Sequence, residues 1–242
     1  MRIGICAGLD LAPRALAAGF DYVEVGASGF TLREDFDAAQ YRELKAEAAN
    51  LFFPGTIKLF GSEATPWWNY AQNAVDRAAQ IGIEVIVIGS GGARRAPEGV
   101  HDAEAAFVEV AGQIADYARA RGIVIAPESL NQSETNVGND LAILARSLSA
   151  RGVGYTADSY HVLVEAHGNP NWESQIPFCP THVHVGDLPR NAPEPEDPHI
   201  QGFAKRLKEL GYDGRISLEA RLRADTDEEL RRVRDNLQAI FG

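Results

Sequence analysis

Little in this chain would serve a membrane, a disulfide scaffold or a polyanion. No apolar run approaches the roughly 18 residues that a membrane span needs. The opening Met1-Arg2-Ile3-Gly4-Ile5-Cys6 is already strand-like, with neither an apolar h-region nor a small-residue cleavage site. Only two cysteines occur, Cys6 and Cys179, far apart and in apolar settings, which reads as two buried free thiols rather than a disulfide. Basic residues are outnumbered 23 to 34 by acidic ones, for a formal charge of −11. A field of that sign repels a phosphate backbone, and Arg94-Arg95 and the pair Arg221 and Arg223 make no basic stripe. No Gly/Ser linker or shift of composition divides the chain. The expectation is one cytoplasmic domain over 1–242, with neither nucleic acid nor membrane as partner.

What is present is alternation. Apolar β-type runs fall at 2–6, 21–26, 51–58, 83–89, 122–127, 152–157, 181–186 and 214–219. Helix-period stretches lie between most of them, at 33–49, 68–81, 102–121, 139–150, 199–210 and 226–240. His101 to Arg121 carries Ala103, Phe107, Val110, Ile114, Tyr117 and Ala118 on one face and stops at Gly122, a left-handed terminator. Thr226 followed by Asp227-Glu228-Glu229 reads as a capped helix start. Eight such alternations predict an α/β fold, a single (β/α)₈ TIM barrel. A doubly wound sheet loses because no Gly-x-Gly-x-x-Gly follows the first strand. Gly89-Ser90-Gly91-Gly92, after the fourth strand, is the one candidate for a backbone anion cradle.

Four strands end on metal-binding side chains: IVIAPE at Glu128, VGYTAD at Asp158, THVHV at His184 and RISLE at Glu219, spaced by 30, 26 and 35 residues. In a barrel such ends converge on the face where catalysis sits. Two Glu, one Asp and one His around a point make a hard, oxygen-rich site for a divalent cation. Simpler readings exist for each. Glu128 and Asp158 could cap the helices that follow them, and Glu219 could pair with Arg221 or Arg223 at the surface. Glu24, in Tyr-Val-Glu-Val on the second strand, faces inward if Tyr22 and Gly26 do, and a costly interior carboxylate suggests a role in the site. Trp67-Trp68 could wall a pocket or start a helix, and Arg94-Arg95 reads as solvated charge.

Glu128-Ser-Leu-Asn131-Gln132-Ser133-Glu134, Asp158-Ser-Tyr-His161, His182-Val-His184-Val-Gly-Asp187 with Arg190, and Ser217-Leu-Glu219 together resemble the motifs of the xylose-isomerase-like barrels of sugar isomerases and epimerases. The likeness is nearest to the ketose 3-epimerases, the D-tagatose and D-psicose 3-epimerase group. It implies that Glu128, Asp158, His184 and Glu219 hold one divalent cation, Mn²⁺ first and Co²⁺ or Mg²⁺ as alternatives. Glu128 and Glu219 would be the catalytic acid–base pair, and Glu134, His161 and Arg190 would bind substrate; Glu24 and Trp67 are further substrate-binding candidates on their own positions in the chain. Alternation puts His182 and His184 on one face, and the interval to Arg190 selects His184 as ligand. The implied partner is a small sugar or sugar-like molecule, with homo-oligomerisation left open. Gln132-Ser133 stands where the family has Arg-Phe, which makes the pocket edge more polar and less bulky. Hydroxypyruvate isomerase-like or inosose-processing enzymes, a three-zinc endonuclease IV-like hydrolase using Asp197 and His199, and a metal-binding barrel without turnover are the rival readings.

Overall fold

In the computed structural model of the chain, which describes every residue except 167 and 170, eight strands run parallel. They are β1 Arg2–Cys6, β2 Tyr22–Gly26, β3 Ala46–Asn50, β4 Val85–Ile88, β5 Val124–Pro127, β6 Thr156–Asp158, β7 His182–Val185 and β8 Arg215–Leu218. The order β5-β4-β3-β2-β1-β8-β7-β6 nearly closes a barrel. Between β5 and β6 the ladder shrinks to a single bridge, Glu128 to Thr156, reinforced by the Thr156 hydroxyl donating to the Ala126 carbonyl at 2.8 Å.

Helices connect the strands: α1 Ala12–Ala17, α2 Ala27–Leu32, α3 Ala38–Glu43, α4 Trp68–Ile81, α5 Gly91–Arg94, α6 Ala103–Arg119, α7 Leu141–Ala150, α8 Ser159–Ala166, α9 Pro198–Glu209 and α10 Asp227–Phe241. Their starts follow local chemistry. The Asp140 carboxylate accepts from the Ile143 amide at 2.9 Å and the Thr226 hydroxyl from the Glu229 amide at 3.2 Å, satisfying donors that a first turn leaves free. After α6 the chain turns at Gly122 with φ +72°, as its glycine suggests. Among the described residues no helix is long and apolar enough to cross a membrane.

The main core lies between strands and helices, where Ile86, Ile88, Val183, Val185, Ile216 and Leu218 meet Phe107, Ile114, Leu144, Leu148, Leu230 and Val233. A second, small cluster of Tyr22, Ala48, Val85 and Ala126 is separate from it. Tyr22 shows how the barrel interior fills. Its hydroxyl lies 2.8 Å from the Ser217 hydroxyl, passing β1 at Gly4, where a Cβ would come within 2.3 Å of the ring. One large side chain from β2 therefore requires a glycine on β1.

The third strand departs from expectation. It is Ala46–Asn50, not 51–58, and the stretch 33–49 is not one helix. The Ala-Glu-Ala-Ala-Asn sequence looks helical, but small side chains are what the space beside Tyr22 admits. Lys45 at φ +49° turns the chain from α3 into the strand. The more apolar 51–58 run contains Pro54-Gly55, and its Phe52 and Phe53 instead bury against Tyr70, with Trp67 packed on Phe53. The thiols also differ from expectation: both are free, but Cys6 is only partly buried and Cys179 is exposed.

Because the β5–β6 seam rests on so few bonds, Thr156→Val should weaken it by removing the hydroxyl's bond to the Ala126 carbonyl. The expected cost is about 0.5–1.5 kcal/mol, seen as a lower urea midpoint at unchanged slope. An unchanged midpoint would show that the seam is held elsewhere.

Candidate metal and sugar site

At the C-terminal ends of β5 to β8, Glu128, Asp158, His184 and Glu219 each present one ligand atom, and these atoms all lie within 4.8 Å of one another. His184 Nδ1 is 3.0 Å from Glu128 Oε1 and 3.0 Å from Glu219 Oε2. Asp158 does cap α8, since its Oδ1 accepts from the Tyr160 amide at 2.7 Å, but Oδ2 is buried without a hydrogen-bond partner. Glu128 turns its carboxylate to His184 and caps nothing. Glu219 ignores Arg221 and Arg223; Arg223 pairs with Glu194 instead. Glu219 Oε2 sits 2.8 Å from Arg190 Nη2, yet neither this contact nor that to His184 is directed well enough to count as a hydrogen bond. Two buried oxygens lacking partners, a lone pair on His184 Nδ1 and a further carboxylate suit a divalent cation.

The tautomer that frees this lone pair is set from beneath. Glu24, inward-facing and 1% exposed, takes His184 Nε2 on one oxygen and His182 Nε2 on the other, each at 2.8 Å. Burial opposes ionisation of Glu24, but the two imidazoles outweigh it and hold its carboxyl well below the ordinary range. An ionised Glu24 only accepts, so both Nε2 atoms donate and both Nδ1 atoms are left to other tasks. For His182, burial lowers its pKa, and its Nδ1 has no partner. It belongs to the barrel interior beside His184.

Arg190 spans the cluster from above. Its guanidinium lies 3.4 Å from Glu134 Oε1, 3.3 Å from His161 Nε2 and 4.8 Å from the Tyr160 ring centre. His161 is fixed from behind by Asn131, whose side-chain nitrogen is 3.0 Å from Nδ1. Glu134, His161 and Arg190 thus form one flank of the site. Trp67 packs edge-on to Phe53 and Trp68 with ring centres 6.4 Å and 5.5 Å away. On the flank opposite Arg190 a cavity of about 620 Å³ opens at the ends of β1 to β3, with Glu24 and Glu219 in its wall.

Two features escaped the sequence. Arg94 is not solvated: it is 1% exposed, lies over the Phe107 ring and donates to the Glu128 backbone carbonyl at 2.7 Å. The adjacent Gly89 makes room for a carboxylate, since a Cβ there would stand 2.7 Å from Glu128 Oε2. A glycine after a strand is the only local signal of this, and the same glycine suits an anion cradle equally well. Asp197 caps α9, accepting from the amides of His199 at 2.8 Å and Ile200 at 3.3 Å. Among the described residues neither Asp197 nor His199 joins a metal-binding group.

A family model for the xylose isomerase-like TIM barrel matches residues 13–240. The chain belongs to that family. A ketose 3-epimerase from Arthrobacter globiformis is 28% identical over 112 residues, which span 45% of this xylose isomerase-like barrel and only 39% of that relative. The D-psicose 3-epimerase of Clostridium cellulolyticum H10, solved with D-tagatose, superposes with a TM-score of 0.81 at 16% identity, over 100% of this chain and 99% of that one. An L-ribulose 3-epimerase does so with 0.80 at 15% identity, over 99% and 94%. At these identities the structural likeness establishes the barrel.

Without a cation the site holds protons. Burial, reinforced by neighbouring carboxylates, pushes Glu128 up to about 8 despite His184. Burial also works against a charged His184, but Glu24, Glu128 and Glu219 outweigh it and raise its pKa. Burial likewise opposes ionisation of Glu219, yet His184 and Arg190 bring it down to about 2. Loading a divalent cation near pH 7 should therefore expel protons from His184 and Glu128, and affinity should rise with pH by about tenfold per unit for each proton released. Calorimetry in buffers of different ionisation enthalpy reads that number; zero release would contradict it. Glu24→Gln should weaken metal binding about 10–100-fold at native circular dichroism, and unchanged affinity would show that Glu24 does not orient His184.

Proposed function

We propose that this barrel is a divalent-metal-dependent epimerase or isomerase of a ketose or related hydroxy-ketone, with Glu128 and Glu219 as its acid–base pair. The observation that carries the reading is the opposition of those two carboxylates across His184, one from the end of β5 and one from the end of β8, each 3.0 Å from Nδ1. A cation held by Glu128, Asp158, His184 and Glu219, Mn²⁺ in first place, would polarise the carbonyl and neighbouring hydroxyl oxygens of a bound substrate.

The rest of the chemistry belongs to side chains. A proton on the carbon beside a carbonyl is acidic enough to move only if a base sits on it and the developing negative charge is compensated. One carboxylate removes it; the opposed carboxylate returns a proton to the other face, and the carbon is inverted through an enediolate. If a single carboxylate served both adjacent carbons, aldose–ketose isomerisation would result. Arg190, Glu134 and His161 supply donors and acceptors for substrate hydroxyls, and the Arg190 guanidinium adds positive charge at the carbonyl side. The names of the relatives, which are 3-epimerases of ketoses, agree with this division of labour.

Incubation of the Mn²⁺-loaded protein with D-fructose, D-psicose and D-tagatose in deuterium oxide, followed by NMR, should show deuterium entering the carbon next to the carbonyl. Glu128→Gln and Glu219→Gln should each lower that rate by about 10²–10⁴-fold in folded protein. Full activity in either variant would remove that residue from the pair.

A further inference from the structure

The two flanks of the site differ in how much room they leave. On one, Arg190 joins Glu134 and His161 into a connected group, lying 3.4 Å from the first and 3.3 Å from the second. On the other, the cavity measures about 620 Å³ and reaches the cluster at Glu219. A hexose displaces roughly six waters at about 30 Å³ each, so a free ketohexose would leave most of that space unused.

The cavity is also built to stay open and to grip. Gly8 and Gly29 line it, and a Cβ on either would meet nothing within 4 Å, so the missing side chains are part of its volume. Leu51, another lining residue, is 56% exposed and holds φ +47°, a conformation that leucine adopts at a cost. Its Cδ1 passes 3.7 Å from where a Cβ on Gly26 would stand, so the side chain lies over the wall. An exposed leucine held there offers an apolar platform to the C–H face of a sugar ring. Polar partners stand beside it: Arg33, whose guanidinium is forked onto Asp35 at 2.8 and 2.9 Å, and the amide of Asn50. This mix of one apolar plate and convergent polar groups suits a small ligand rather than a protein surface.

We propose that the cavity is a second-ring subsite, so that the substrate is a hydroxy-ketone sugar joined, at the end remote from its carbonyl, to a further sugar ring. The inference rests on the proton-transfer reading above. Its chemistry is the same exchange of one C–H proton between two carboxylates and needs no co-reactant, because the second ring only binds.

The test compares deuterium exchange by the Mn²⁺-loaded protein on free D-fructose, D-psicose and D-tagatose with exchange on isomaltulose and lactulose, ketodisaccharides whose fructose unit carries a ring at O6 or O4. At least one disaccharide should be favoured in kcat/KM by about tenfold or more. Gly29→Trp, which fills the cavity, should lower the disaccharide-to-monosaccharide ratio by a similar factor. Leu51→Gly should lower it too while relieving the backbone, so its melting temperature should not fall and a folding defect is separable. A preference for free ketohexoses, or a ratio that neither variant moves, overturns the second-ring subsite and leaves the epimerase reading standing. Exchange with none of the five sugars overturns both.

Discussion

The carboxylates of Glu24, Glu128, Asp158 and Glu219 converge on one barrel mouth, all but Glu219 buried, where two like charges 4 Å apart repel by about 4 kcal/mol at an effective dielectric of about 20. The protein offers them the imidazoles of His182 and His184 and the guanidinium of Arg190. Glu24 is satisfied by both histidines. Asp158 spends one oxygen on the start of α8, and Arg94 steadies the backbone of Glu128. What remains are the carboxylate oxygens around His184 Nδ1, two of them without hydrogen bonds. Protons and the Arg190 guanidinium offset part of that negative charge, and a divalent cation would suit the cluster in charge and in ligand hardness.

The scaffold decides where this concentration of charge can be tolerated. Parallel strands deliver their last residues to one face of the barrel, and alternation along β7 sends both His182 and His184 inward. Beneath them Tyr22 plugs the interior, with Gly4 and Ala48 small enough to admit it. The thinnest seam of the sheet lies at Glu128 itself, where β5 and β6 share one bridge. The seam and the candidate site therefore meet at the same place: Glu128, a member of the acidic cluster, makes the bridge that joins β5 to β6.

The cluster of Glu128, Asp158, His184 and Glu219 was legible in the sequence because each of these residues lies at the end of a short β-rich run, and strand ends need no long-range information to be located. Glu24 was readable as an anomaly, a carboxylate on an inward face, but its partners were not, because β2 and β7 are distant in sequence. The first half of the barrel was harder. An alanine-rich strand beside a bulky tyrosine looks helical until the tyrosine's position is known, whereas the apolar 51–58 run looks like a strand although its proline and glycine bend it away. Arg94 gave no local sign of burial; its place is set by contacts with Phe107 and with the carbonyl of Glu128, both far along the chain. Side chains that hold the site from behind are seen only in three dimensions.

The account stands most directly on where a metal ion sits and which nitrogen of His184 meets it. A crystal structure of protein loaded with Mn²⁺, with anomalous diffraction recorded above the manganese edge, should show one peak per chain within bonding distance of Glu128, Asp158, His184 Nδ1 and Glu219, while Glu24 still holds His184 Nε2. A peak bound through Nε2, several peaks at the barrel mouth, or none among these four residues would contradict it.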